Sequence, residues 1–144
     1  MIEQDTIRLM RQCGAGIKMG ISAIDEVYDL ICSENFRLVL DKCRTTHEKL
    51  GTELTMLLHE YGQEEKELCP LVRGMACIKT KLSLKMDRSE KAIADMLTDG
   101  TDMGIKNLYR FLNKYRAADE RSKDITKRLC DSEEQLVSAI RPFL

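Results

Sequence analysis

Two long apolar stripes, one directly after the other, leave this chain few ways to fold. Ile7, Met10, Gly14, Ile17, Ile21, Ile24, Tyr28 and Ile31 recur in strict alternating steps of three and four residues. Phe36, Leu40, Cys43, His47, Leu50, Leu54, Leu57 and Tyr61 then do the same. That spacing turns one seam of a helix toward a partner helix, and it excludes the two-residue alternation of a half-buried strand. The second seam carries a histidine at its middle. A polar side chain inside a seam calls for a partner.

The rest of the chain reads as further helices. Helix one is expected from about Ile2 to Cys32, and Ser33 is suited to cap helix two, which runs to Tyr61 and stops at Gly62. Each would be about 40 Å long, and so short a turn between them forces an antiparallel hairpin. Cys69-Pro70 opens a shorter third helix with Leu71, Met75, Ile78 and Leu82 on one face, and Lys79, Lys81 and Lys85 form its solvated side. Asp87-x-x-Glu90 resembles a capping box for helix four, whose stripe is Ile93, Leu97, Gly100, Gly104, Leu108, Phe111 and Tyr115. After Arg116-Ala117-Ala118, helix five starts at Asp119, carries Ile125, Leu129, Leu136 and Ile140, and ends at Pro142. The expectation is one all-α domain over residues 1–144: long hairpin, short connecting helix, long hairpin.

Composition narrows the function classes. With 23 basic and 24 acidic side chains there is no basic excess to hold nucleic acid or an anionic membrane. Four Tyr, three Phe and no Trp offer few platforms for stacking bases or sugars. No apolar run approaches the roughly 20 residues of a membrane span, and the amino terminus lacks the pattern of a signal peptide, so the expected location is the cytoplasm. The six cysteines show no C-x-x-C spacing and are expected to be reduced, packing as small hydrophobes. The eight methionines fill seams. Phosphate-binding loops, a G-x-S-x-G elbow and an H-E-x-x-H zinc motif are all missing; His59-Glu60 lies off the stripe and reads as surface. Asp25, beside Lys18, Ser22 and Asp29, reads as a solvated face.

The two-hairpin layout, the segment Asp99 to Tyr115 (DGTDMGIKNLYRFLNKY) and the ending Glu133 to Leu144 (EEQLVSAIRPFL) together resemble a bacterial branch of the ferritin-like superfamily found in anaerobic Gram-positive bacteria. The resemblance implies a ferritin-like four-helix bundle: two antiparallel hairpins joined by a crossover, here containing a short extra helix. Metal-binding members of that superfamily place one Glu on each of two helices and a Glu-x-x-His on each of the other two, because a pair of divalent ions needs several inward carboxylates.

This sequence departs from that set at every position. The tetrad ending in the seam histidine is Arg44-Thr45-Thr46-His47, with Arg in place of Glu. The tetrads starting at Glu133 and Glu134 lack the His. Gly20 or Ile21 falls opposite His47, and helix four offers Gly100, Thr101, Asp102 and Gly104. The di-metal motif is degenerate.

What is left is a polar spot around His47, Cys43, Gly51 and Gly20, with Glu133 able to point inward. Glycine inside a helix costs about 1 kcal/mol relative to alanine, so several at one level signal close helix approach or a small cavity. Three functional readings follow. The first is a structural or protein-interaction module with no cofactor, no catalytic residue and no metal, forming homo-oligomers, with a dimer favoured. The second is a metal-binding oxidoreductase or metal-storage protein holding iron or manganese at a non-standard site of His47 with Glu133 or Asp102. The third is a bundle that binds a small apolar ligand near the glycines. No protein partner is named by the sequence.

Overall fold

The computed structural model describes residues 3–63 and 89–144. Among these residues the chain forms four α-helices and no strand: α1 (Gln4–Tyr28), α2 (Glu34–Glu60), α3 (Glu90–Lys114) and α4 (Glu120–Ile140), with a final 3₁₀ turn, Arg141–Phe143. The expected short helix after Cys69-Pro70, its lysine face, Cys69, Cys77 and Asp87 all lie outside the described residues.

Local chemistry sets the helix ends. Ser33, Ser89 and Asp119 each accept a bond from the amide three residues on, at Phe36, Ala92 and Ser122, which satisfies a donor that the first helical turn leaves open. α2 stops where Gly62 adopts a φ of 70°. There the Gln63 amide reaches the Leu58 carbonyl at 2.9 Å and the Gly62 amide reaches that of His59 at 3.0 Å, the paired closure that a left-handed glycine permits.

Two expectations about these ends need correction. α1 ends at Tyr28, not near Cys32, although Ile31 is still fully buried in the turn that follows. The Arg37 Nε donates to the Ile31 carbonyl at 2.6 Å and holds that turn. The cap of α3 is Ser89, not Asp87, and Glu90 has a long-range role. Its carboxylate crosses to the α1–α2 turn, where Oε1 accepts from the Cys32 amide at 2.7 Å and the Ser33 amide at 2.8 Å.

These long-range bonds define the topology. Glu90, at the start of α3, meets the end of α1. At the other end of the bundle the Ala117 amide bonds Asp5 at 3.2 Å and the Asp119 amide bonds the Thr6 hydroxyl at 2.8 Å. α1 therefore runs antiparallel to α2 and α3 and parallel to α4. Around the bundle the helices neighbour one another in the order α1, α2, α4, α3, with α1 and α4 on the close diagonal. Tyr61 ends α2 beside Asp119, to which its hydroxyl donates, whereas Ser89 begins α3 at the opposite end.

The seams pack as their spacing demands. Phe36, Leu40, Cys43, His47, Leu50, Leu54 and Leu57 are all buried, as are Ile125, Leu129, Leu136 and Ile140 on α4. Each such aliphatic side chain contributes about 1.5–3 kcal/mol by leaving water. On α3 the inward position one turn past Leu97 is Thr101, which is buried, while Gly100 is exposed. The apolar core falls into two main clusters. One holds Met10, Cys13, Ile17, Leu54 and Leu129; the other holds Ile24, Ile31, Phe36, Leu40 and Ile93, and Phe143 stacks on Phe36 at 4.5 Å to cover its end.

Cys13, Cys43 and Cys130 are buried free thiols, and Cys32 is exposed. Burial pushes the Cys13 thiol up to about 12 and the Cys130 thiol up to about 11, so both are inert at neutral pH. No described helix is long and apolar enough to cross a membrane.

Candidate functional site

Between the two apolar clusters lies one polar layer, supplied by all four helices. The α2 seam carries His47 into the bundle centre, where it is 1 % exposed. Glu133 enters from α4, one residue off the apolar stripe, and is 8 % exposed. His47 Nε2 and Glu133 Oε1 are 2.8 Å apart. On the far side of the ring, Nδ1 lies 3.0 Å from the carbonyl oxygen of Cys43 and 3.5 Å from its Sγ.

Both ring nitrogens therefore face acceptors. The Cys43 carbonyl can only receive a proton, and the Glu133 carboxylate receives the other, which is the arrangement an imidazolium needs. Burial works against that charge. The bonds to Cys43 and Glu133 outweigh it and raise the His47 pKa from its usual 6.5 to about 10. The geometry thus favours the charged imidazole, facing Glu133 across the layer.

The glycines explain how the pair fits. A Cβ on Gly20 of α1 would sit 2.8 Å from His47 Nε2 and 2.9 Å from Cδ2, so the imidazole fills the space that a larger residue would need. A Cβ on Gly51 would meet Ile17 at 3.4 Å, and one on Gly14 would meet Leu54 at 3.0 Å. On α3, the Cβ position of Gly104 is 3.9 Å from Glu133 Oε2. Of the two meanings the sequence left open, close approach is the one found: each of these positions already touches a neighbour.

The placement of the candidate residues is uneven. His47, Cys43, Gly20 and Glu133 come together; Gly51 lies one turn along, against Ile17. Asp102 is exposed on α3, whose same turn sends Thr101 inward, and it does not join His47 and Glu133. His59 is exposed near the end of α2. Asp25 is more than a solvated side chain: Arg44 of α2 grips it through Nε at 2.7 Å and its terminal nitrogen at 3.1 Å, and also pairs with Glu48. That guanidinium holds the Asp25 carboxyl below its usual range. Sequence reasoning noted Arg44 only as a missing Glu, and Thr101 not at all as a seam residue.

A di-metal centre does not fit these residues. At this level two helices offer glycine and the other two offer one His and one Glu, already bonded to each other. Among the described residues no cluster of three His, Cys, Asp or Glu side chains could hold a metal ion. In this layer both His47 ring nitrogens and Glu133 Oε1 are already engaged. Its chemistry is that of a lock between α2 and α4. Comparison with protein-family models, with curated proteins and with solved structures finds no match to this chain.

Proposed function

We propose that this chain is a ferritin-like bundle without a working di-metal centre, serving in the cytoplasm as a structural or protein-interaction module that self-associates. One observation carries the reading: at mid-bundle, where a ligand set would converge, His47 and Glu133 are committed to each other and the remaining two helices present Gly20 and Gly104. The helix arrangement supports the ferritin-like part. α2 ends at one end of the bundle and the parallel α3 begins at the other, which is the relation a crossover between two hairpins produces. The free thiols of the described residues, Cys13, Cys32, Cys43 and Cys130, support the location.

The test is metal content of protein purified without oxygen from cells supplied with iron and manganese, alongside His47→Ala. The expected result is no stoichiometric metal in either protein. Stoichiometric metal in the wild type that disappears in His47→Ala would overturn the proposal and make His47 the anchor of a metal site.

A further inference from the structure

The outward face of α3 is divided by charge. Its first half exposes Asp95, Asp99 and Asp102; its second half exposes Lys106, Arg110 and Lys114. Met103, 62 % exposed, sits at the boundary. Lys91, on one flank, is the only basic residue in the acidic half. None of Asp95, Asp99, Asp102, Lys106 and Arg110 forms an ion pair with another described residue, although Arg44, Arg121 and Arg128 on α2 and α4 are all paired within the chain.

The helix dipole does not account for this division. Its effect is confined to the first and last turns, whereas Asp99, Asp102 and Lys106 lie in the middle of a helix that runs from Glu90 to Lys114. Spacing along the helix accounts for only part of it: Asp102 has Lys106 four positions on and Asp95 has Lys91 four positions before, neither joined in an ion pair, while Asp95 and Asp99 have no basic residue four positions on. A sequence that is acidic, then apolar, then basic is complementary to its own reverse.

We propose that two copies of this chain pair through antiparallel α3 helices about a two-fold axis near Met103 and Gly104. Asp102 of each copy then lies opposite Lys106 of the other, Asp99 opposite Arg110, and Asp95 opposite Lys114, so a single patch serves as both halves of a closed interface. Met103 packs on its counterpart at the axis. Gly100, one turn away and with nothing within 4 Å of where its Cβ would stand, keeps the approach open. A seam built from one helix per copy falls at the small end of specific interfaces, so the dimer is salt-sensitive and readily reversible. The inference deepens the interaction-module reading by naming its partner and surface.

Two variants of the full chain test it by sedimentation, with far-UV circular dichroism to confirm the fold. Lys106→Glu with Arg110→Glu makes the face acidic from Asp95 to position 110, and Asp99→Lys with Asp102→Lys makes it basic from position 99 to Lys114. The wild type is expected to dimerise, each variant alone to do so at least about tenfold more weakly, and the two mixed to form a one-to-one dimer. A wild type that stays monomeric at its highest soluble concentration overturns the pairing. So does a dimer that both variants leave intact, which would put the contact elsewhere on the surface. A dimer that both variants leave intact removes the α3 pairing but keeps the self-association of the proposed function, a monomer removes both, and neither result bears on the metal content.

Discussion

Two ion pairs leave the same turn of α2, and their lengths hardly differ. Arg44 reaches Asp25 of α1 at 2.7 Å, and His47 reaches Glu133 of α4 at 2.8 Å. Their surroundings differ completely: the first pair's side chains are 35 % and 51 % exposed, the second pair's 1 % and 10 %. Water screens the outer pair and already solvates each partner well, so little is gained by their meeting. The inner pair has given up its hydration, so each member depends on the other. Distance alone does not rank such contacts; the cost of losing one partner does.

The largest break in this contrast is Glu133→Ala. It leaves His47 buried opposite nothing and is expected to destabilise the fold by about 3 kcal/mol in urea denaturation, the low end for a broken buried pair because imidazole can shed its proton. The same experiment run against pH adds a signature. The folded pKa of His47, about 10, lies above the ordinary 6.5, so the pair's contribution is complete below about pH 6.5 and is lost as pH rises through 10. Glu133→Ala should remove that alkaline loss from the stability profile. An unchanged profile would mean that the pair is not ionised.

Gly20→Ala comes next. The new methyl would press on His47 Nε2 and Cδ2. Overpacking of about 1–3 kcal/mol exceeds the roughly 1 kcal/mol gained in helix propensity, so a net loss of about 1 kcal/mol is expected. If stability rises instead, the ring has room and the close approach of α1 to α2 is not what the glycine is for. The smallest effect belongs to Arg44→Ala, whose denaturation midpoint should match that of the wild type within error at moderate salt. A clear loss there would erase the distinction between the two pairs.

Much of the fold was legible from spacing, because a helix buries residues by period and the period survives in the sequence. The α2 seam is buried from Phe36 to Leu57, and the inward reach of Glu133 toward His47 could be read from its place beside the α4 stripe. On α3 the pattern misled. Gly100 continues the stripe numerically, yet the buried position is Thr101, whose hydroxyl hides its role from any apolar count. Glu90 was misread for a different reason. Its partners, Cys32 and Ser33, are 58 and 57 residues away, and a bond of that kind leaves no local signature. The seam histidine announced that it needed a partner, but whether the glycines around it enclosed a void or admitted a neighbour was decided only by how closely α1 and α2 approach.

The Glu90 bond has a consequence for how the molecule assembles. The turn of the first hairpin has two amides satisfied by a carboxylate from the second, and the far end is tied by Thr6 and Asp119, 113 residues apart. Neither hairpin can finish its own ends alone. Bonds between such distant parts of the chain carry a loop-closure cost that local helix contacts do not, so the ends of the two hairpins are stabilised by each other.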